Sequence, residues 1–276
     1  MIMRCVPIAF VTTVAMLSSG ALRAQRVLPV VPTVTVTAHE FAFDAPDSIM
    51  AGPTTIRFVS HGRQQHVLQF EKLASGHTTS DFARAFNAHE AMPWVTNVGG
   101  VGTVSPGAEA AATLDLTPGQ YVMVCDIADT DGTRHSAKGM IRGLVVVDER
   151  TRVAMPTPDI VLDLSDYAFT LSKPLTAGAH VVRVRNAGPQ SHMALLWRLD
   201  NGKSVADVTR WINGGPGSAP MTTMGGVPDL DRGQSAEMVL DLAPGRYMLI
   251  CLDDDIHDQK PHYAHGMVRE IVISAK

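Results

Sequence analysis

The sequence has no excess of basic residues and few cysteines. Its 23 Lys and Arg are outnumbered by 27 Asp and Glu, which gives a formal net charge of −4 at pH 7. This balance argues against nucleic acid as a partner, because phosphate binding requires Lys and Arg concentrated on one face. With three cysteines, the chain has too few thiolates for an iron–sulfur cluster. It also carries no Ser-His-Asp, Gly-rich phosphate-loop or paired-carboxylate signature.

Long hydrophobic runs are absent beyond the N-terminus, so no segment has the roughly 18 apolar residues that predict a membrane span. Residues 1–24 contain no acidic residue and place one arginine on each side of an apolar run at residues 6–17. This pattern predicts a signal peptide, cleaved after Ala21 or Ala24. We therefore expect a periplasmic or secreted protein; a retained N-terminal anchor is the alternative.

The rest of the chain repeats itself. Over about 80 residues its matching segments are offset by 126 residues, without insertion. They include Glu40-Phe-Ala-Phe43 with Asp166-Tyr-Ala-Phe169, Gly99-Gly100 with Gly225-Gly226, and Leu114-Asp-Leu-Thr-Pro-Gly-Gln-Tyr121 with Leu240-Asp-Leu-Ala-Pro-Gly-Arg-Tyr247. A constant offset of this length predicts two copies of one domain. We place them at residues 30–150 and 155–276.

Within each copy the pattern favours strands. Gly and Pro together make up 40 residues, which is typical of many turns between short strands. One helix per copy is predicted from a capping-box spacing, Thr78 to Asp81 in the first copy and Ser204 to Asp207 in the second. The fold class expected is all-β, as two tandem β-sandwiches with one short inserted helix each.

Cysteine chemistry is the strongest functional signal. Cys5 falls in the predicted signal peptide, which leaves Cys125 and Cys251 at the same repeat position. A disulfide between them is disfavoured. It requires the two Cα atoms to lie within roughly 7 Å of each other, and equivalent positions in two separate sandwiches are not expected to come that close. A buried inert thiol in each copy is a second alternative. A metal-bound thiolate is favoured, because histidine and methionine recur with each cysteine.

Each copy supplies one thiolate, two imidazoles and one thioether. The candidate donors of the first copy are His66, Cys125, His135 and Met140; those of the second are His192, Cys251, His262 and Met267. Two nitrogens, a thiolate and a weak methionine sulfur form the donor set of a blue-copper electron-transfer site. Zinc prefers four strong ligands, so copper is the predicted cofactor.

A family resemblance supports this interpretation. Asn186-Ala-Gly-Pro-Gln-Ser-His192 resembles the segment that carries the first copper histidine in plastocyanin-like cupredoxins. Pro244-Gly-Arg-Tyr-Met-Leu-Ile-Cys251 resembles their strand leading to the copper cysteine, and His135-x-x-x-Gly-Met140 and His262-x-x-x-Gly-Met267 resemble their last ligand loop. The resemblance implies a Greek-key sandwich with a type 1 copper site at one end of each copy, built from the donors named above.

The sequence departs from that pattern in three places. Val67 and Met193 follow the first histidine where the family commonly has a small polar residue, so weaker support of the thiolate is expected. The gap from cysteine to histidine is also long, at nine and ten residues. In the second copy, His257 and His265 compete with His262 as the ligand. The acidic runs at 126–131 and 253–255 are predicted to be solvated loops rather than calcium sites.

Three functions remain open from the sequence. The first is an exported electron carrier with an unknown redox partner protein. The second is a copper capture or delivery protein that uses His257 and His265, and the third is a metal-free interaction module. An enzyme is not expected, because Cys125 and Cys251 lack the flanking histidines that pass electrons to a second copper centre in copper nitrite reductases and small laccases.

Overall fold

The computed structural model describes residues 30–275, so the predicted signal peptide lies outside the described residues. The first half holds nine elements: β1 (Thr33–His39), β2 (Ala42–Asp44), β3 (Ser48–Ser60), β4 (His66–Leu73), α1 (Thr79–Asn87), β5 (Val95–Val104), β6 (Glu109–Leu116), β7 (Gly119–Val124) and β8 (Ile141–Arg150). Strands dominate it, as the sequence predicts.

The second half repeats this order. Its elements are β9 (Ile160–Ser165), β10 (Ala168–Leu171), β11 (Gly178–Asn186), β12 (His192–Leu199), α2 (Val205–Ile212), β13 (Met221–Leu230), β14 (Ser235–Leu242), β15 (Gly245–Ile250), a 3₁₀ helix (His262–His265) and β16 (Val268–Ile273). Residues 151–159, between the halves, form no helix or strand. Whether each half folds alone at the predicted boundaries stays a prediction. No helix in the part of the chain that the structure describes is long and apolar enough to cross a membrane.

Each half is a two-layered β-sandwich. In the first layer β1 runs parallel to β3, which pairs antiparallel with β6. In the second, β4 pairs antiparallel with β5 and β7, and β7 with β8. The long β3 also pairs with β8 and so joins the layers. The apolar run of β7 is buried along residues 121–124, as expected for a strand covered on both faces.

Both predicted helices are present and begin as expected. Thr78 caps α1 and Ser204 caps α2, each in a complete capping box with the Asp three residues later. Each helix covers one sandwich: Phe82 of α1 is fully buried against Val122 and Val124. Burying an aromatic side chain of this kind stabilises the fold by about 1.5–3 kcal/mol. The helices therefore close the layer that carries the cysteine strands.

The halves meet through strands related by a pseudo-two-fold axis. Met224 pairs with Val104 and Leu230 with Val98 between β13 and β5, and the 126-residue offset exchanges these two pairs. Strand β6 likewise pairs with β14. Glycine is required here: a Cβ on Gly102 would lie 2.5 Å from the carbonyl oxygen of Gly225. The second layers of the two sandwiches therefore join edge to edge.

Candidate metal centres

The four candidate donors of the first half lie at one end of its sandwich. His66 begins β4, Cys125 directly follows β7, and Met140 directly precedes β8. His135 lies in the loop between β7 and β8. The Cys125 Sγ lies 3.5 Å from Nδ1 of His135 and 3.9 Å from Nδ1 of His66. All four side chains are completely buried. We call this group site 1.

The second half repeats the arrangement, which we call site 2. His192 begins β12, Cys251 follows β15, and His262 begins the 3₁₀ helix. The Cys251 Sγ lies 3.4 Å from Nδ1 of His262, and that nitrogen lies 3.0 Å from Nδ1 of His192. These residues and Met267 are also completely buried. In both sites the histidines direct Nδ1, rather than Nε2, toward the shared centre.

Backbone hydrogen bonds hold each methionine beside its cysteine. The Met140 N–H donates to the His135 carbonyl at 2.9 Å, and the Cys125 N–H donates to the Met140 carbonyl at 3.2 Å. The equivalent bonds at site 2 measure 3.0 and 3.1 Å. The ligand loop of site 2 is one residue longer, yet it closes in the same way. The extra residue therefore leaves the arrangement of cysteine, histidine and methionine unchanged.

The donor atoms fit a single metal ion. With about 2.0 Å to each nitrogen and about 2.3 Å to sulfur, a trigonal ion separates sulfur from nitrogen by roughly 3.7 Å. The observed sulfur–nitrogen distances span 3.4 to 3.9 Å. Burial lowers the pKa of all four histidines, that of His66 to about 4. The imidazoles are therefore neutral at pH 7, as ligation requires.

The thiols are protonated until a metal arrives. Burial raises the pKa of Cys125 to about 11, and that of Cys251 well above its usual range. Metal binding must therefore displace one proton per site. Neither cysteine forms a disulfide, so the alternative of a bond between them is set aside.

The structure supplies thiolate support that the sequence analysis did not anticipate. The backbone N–H of Val67 donates to the Cys125 sulfur at 3.4 Å, and that of Met193 donates to the Cys251 sulfur at the same distance. The expectation that an apolar side chain at these positions weakens the support of the thiolate was therefore wrong. The donor is the main-chain N–H of the residue, so an apolar side chain there does not remove it.

The sites differ around the first histidine. At site 2, His192 Nε2 lies 2.7 Å from Asp166 Oδ1. At site 1 the equivalent residue is Glu40, whose carboxylate accepts the backbone N–H of Arg63 instead. His66 Nε2 has no hydrogen-bond partner among the described residues. Only site 2 therefore has a carboxylate–histidine pair, an arrangement that makes an imidazole a stronger donor to a metal.

An aromatic ring covers the second histidine of each site. Phe41 lies edge-on to His135, with ring centroids 5.2 Å apart, and Tyr167 lies edge-on to His262 at 5.3 Å. The Tyr167 hydroxyl also donates to Asp255. Sequence reasoning missed these residues and Asp166 as parts of the sites. The recurrence of the motif that contains them, 126 residues apart, is the sequence signal that points to them.

Two glycines permit the first histidine to lie where it does. A Cβ on Gly62 would lie 2.6 Å from His66 Nε2, and a Cβ on Gly188 would lie 2.7 Å from His192 Nε2. Each glycine precedes its histidine by four residues. The spacing Gly-x-x-x-His, shared by both halves, is the sequence signal for this part of the sites.

Of the three competing histidines, the structure brings His262 to the cysteine. His265 instead stacks on Tyr167 at 4.7 Å and places Nε2 3.1 Å from Asp258. Asp255, Asp258 and His265 form a separate group with ligand atoms within 4.8 Å of one another. Asp255 is only 2% exposed, so the prediction of a solvated acidic loop was wrong there. Its carboxylate accepts from Tyr167, Gln190 and two backbone N–H groups.

The donor set supports copper as the cofactor. One thiolate and two neutral imidazoles with a buried methionine beside them match the blue-copper donor set, whereas structural zinc sites take four strong ligands. At each site one histidine begins a strand, and the other three donors lie in the loop that joins two paired strands. The assignment of copper therefore follows from the donor atoms of this chain and their arrangement.

No family model and no curated protein matches the sequence. Among solved structures, the chain is similar to an auracyanin from Roseiflexus castenholzii, at 18% identity over 43% of this chain and 99% of that one, with a TM-score of 0.31. It is also similar to a multicopper oxidase, at 14% identity over 88% of each chain and a TM-score of 0.26.

A third similar structure is the copper nitrite reductase from Nitrosomonas europaea, at 14% identity over 90% of this chain and 94% of that one, with a TM-score of 0.26. Identities and TM-scores this low assign no activity, so the metal assignment rests on the donor atoms. The duplicated sandwich, with cysteine, two histidines and methionine at one end of each copy, makes this a two-domain protein with a cupredoxin-like fold.

Proposed function

We propose that the protein is an exported electron carrier with one type 1 copper site in each domain. The proposed ligands are His66, Cys125, His135 and Met140 at site 1, and His192, Cys251, His262 and Met267 at site 2. The observation that carries the proposal is the convergence of a buried sulfur and two imidazole nitrogens, repeated in both halves. A single group of this kind could arise by chance, but two groups at equivalent positions are much harder to explain in that way.

The chain's own residues would supply a rigid and dry setting. Bound copper would take up and release one electron at a time. The first histidine begins a strand and the other three donors lie in the loop between two paired strands, so the hydrogen-bonded sheet restrains their movement when the charge on the metal changes. Phe41 and Tyr167 cover the second histidines and restrict access of water. The N–H groups of Val67 and Met193 stabilise the thiolate charge.

Metal content and the visible spectrum of the purified mature protein test this proposal. We expect two copper ions per chain and an intense thiolate-to-Cu(II) absorption that disappears on one-electron reduction of each site. Copper binding without that absorption would contradict a type 1 site. Failure to bind stoichiometric copper would favour the metal-free interaction module.

A copper capture or delivery function is the second candidate. It is favoured by one observation: the exposed His265 and Asp258 lie beside site 2, separated from His262 by the Tyr167 ring. Capture predicts that copper binds at these residues before it reaches site 2. Loss of His265 would then slow the filling of site 2, whereas an electron carrier without this role fills at an unchanged rate.

The absence of an enzymatic activity is also proposed. Cys125 lies between Val124 and Asp126, and Cys251 between Ile250 and Leu252. Neither cysteine therefore has an adjacent histidine to pass electrons to a second copper. The test is an assay of the copper-loaded protein for oxidation of phenols by O₂ and for nitrite reduction. Sustained turnover in either assay would overturn this part of the proposal.

Export is proposed from residues 1–24. The test is cell fractionation with N-terminal sequencing of the purified protein. We expect a start at Leu22 or Gln25 outside the cytoplasm. An intact Met1 start in the cytosol would contradict export without affecting the proposed copper sites.

A further inference from the structure

Two histidines outside the proposed sites lie at the ends of neighbouring strands. Strand β1 ends at His39, and β3 ends at Ser60, directly before His61. The strands run parallel, and their last paired residues are Ala38 and Ser60. The His61 N–H donates to the Ala38 carbonyl at 2.9 Å, so the same register continues and places His39 opposite His61. Since residues paired in this way point to the same face of the sheet, the two imidazoles come together.

The distance between these imidazoles suits a single metal ion. The ring centroids of His39 and His61 lie 5.8 Å apart. For comparison, the centroids of the two histidines lie 5.0 Å apart at site 1 and 4.8 Å apart at site 2. An ion about 2.0 Å from each nitrogen holds two ring centroids roughly 5 Å apart at a tetrahedral angle and roughly 6 Å apart when the rings oppose each other. The observed separation falls within this range.

Both imidazoles are accessible to an ion from solution, because His39 and His61 are exposed. Among the residues that the structure describes, neither imidazole forms a side-chain hydrogen bond or an ion pair. His180 differs in this respect, since its ring nitrogens lie 2.7 Å from Asp159 Oδ2 and 2.9 Å from the Thr176 carbonyl oxygen. The nitrogens of the pair are thus available, and exposed side chains can rotate to direct them at one ion.

The pair lies beside site 1. His39 directly precedes Glu40, and His61 directly precedes Gly62. Both of these neighbours approach the first histidine of the site: a Cβ on Gly62 would lie 2.6 Å from His66 Nε2 and 2.8 Å from Glu40 Oε1. His66 is buried whereas the pair is exposed. An ion held by the pair is therefore near site 1 but outside its buried donor group.

The second half has no equivalent pair. The 126-residue offset places Ser165 and Ala187 at the positions of His39 and His61. The backbone is nevertheless the same, because β9 runs parallel to β11 as β1 does to β3, and the Ala187 N–H donates to the Leu164 carbonyl at 2.9 Å. The two histidines are therefore not needed to build this end of the sandwich, which is consistent with a separate function in the first half.

We propose that His39 and His61 form a third metal site, which binds a copper ion at the surface beside site 1. Imidazole nitrogen is a good ligand for divalent copper, which nitrogen donors bind more tightly than nickel or zinc. Water completes the coordination. Because this site has no thiolate, it holds its ion more weakly than sites 1 and 2 and exchanges it with solution. The purified protein therefore keeps two copper ions, and the third binds when copper is added in excess.

The experiment is titration of the full chain with a Cu(II) salt, with bound ions counted by equilibrium dialysis and examined by electron paramagnetic resonance. His39→Ser combined with His61→Ala installs the residues of the second half at both positions. We expect the native protein to bind one Cu(II) ion more than this double variant. The additional ion should couple to two imidazole nitrogens and add no thiolate absorption. His89→Ala removes an exposed histidine elsewhere and, as the control, should retain the additional ion.

Equal copper uptake by the native protein and the double variant would overturn the third site, as would an equal loss of the ion in His89→Ala. Coupling of the additional ion to fewer than two imidazoles in the native protein would also refute it, and that measurement requires no variant. Since all these proteins share sites 1 and 2, the comparison holds whether or not those sites take copper. A native protein without thiolate absorption would instead refute the carrier function and leave the third site intact.

Discussion

Sites 1 and 2 have the same donors in the same positions, but they differ in what surrounds those donors. At site 2 a carboxylate pairs with the first histidine, and a tyrosine hydroxyl connects the covering ring to a buried aspartate. At site 1 the first histidine has no such partner among the described residues, and the covering ring is a phenylalanine. The comparison teaches that donor identity sets which metal binds, while neighbouring residues set how strongly each oxidation state is held.

From this difference we expect the lower redox potential at site 2. The Asp166 carboxylate makes His192 a stronger donor and places negative charge near the metal, and both effects favour Cu(II) over Cu(I). At site 1 Glu40 binds the Arg63 backbone instead and does not hydrogen-bond to His66, so we expect weaker stabilisation of Cu(II) there. Duplication followed by divergence outside the donor set thus gives one chain two unequal sites.

Replacing a cysteine should have the largest effect. Cys125→Ser should remove one copper and the site 1 part of the visible band, and Cys251→Ser should remove the other copper and the remaining band, because each site has one thiolate. Copper analysis and absorbance measure this. Retention of two coppers and an unaltered spectrum in the double variant would refute the ligand assignment.

The next largest effect concerns the competing histidines of site 2. His262→Ala should abolish the site 2 band, because its Nδ1 lies 3.4 Å from the Cys251 sulfur. His265→Ala should leave that band unchanged, since His265 faces Asp258. Absorbance of the two variants at saturating copper separates the roles. The reverse result would mean that the loop rearranges when copper binds.

Asp166→Asn should make site 2 resemble site 1. Loss of the carboxylate partner of His192 should weaken copper binding about 10- to 100-fold and raise the site 2 potential. Glu40→Gln at site 1 is the matched control and should change little, because Glu40 does not pair with His66. Copper titration and potentiometry provide both quantities. Equal effects of the two variants would remove the proposed distinction between the sites.

Methionine replacement should be milder. Met140→Leu and Met267→Leu remove a weak axial donor while filling the same buried volume, so copper should remain bound and the potential of the affected site should rise. Potentiometry of each variant, with metal analysis as its control, measures the change. A potential unaffected by either replacement would exclude the thioether from the donor set.

Tyr167→Phe should have the smallest effect. It reproduces the Phe41 of site 1 and removes the hydrogen bond to Asp255. We expect copper content to be unchanged, with a small fall in the unfolding temperature that thermal denaturation detects. Loss of site 2 copper would show that the hydroxyl, rather than the ring, maintains the site.

The repeat and the donor spacing were sufficient to predict the sandwiches, both helices and the convergence of the four histidines and two cysteines. They were insufficient to predict that His192 at site 2 has a carboxylate partner and that His66 at site 1 has none among the described residues. Glu40 and Asp166 occupy equivalent positions, but the Arg63 backbone N–H that donates to Glu40 has no counterpart in the second half, where the equivalent residue is Pro189. The hydrogen bond between the halves, from the Gln69 side chain to the backbone carbonyl of Asp229, was equally hidden, because it depends on how the two halves meet. Such contacts depend on distances between segments, which local sequence patterns do not encode.

The most direct test is a spectroelectrochemical titration of the copper-loaded native protein at the thiolate absorption. We expect two separate one-electron steps, with the lower-potential step absent in Cys251→Ser and the higher-potential step absent in Cys125→Ser. Bound copper without a thiolate absorption, or a single step that survives both cysteine replacements, would contradict the presence of two unequal type 1 sites.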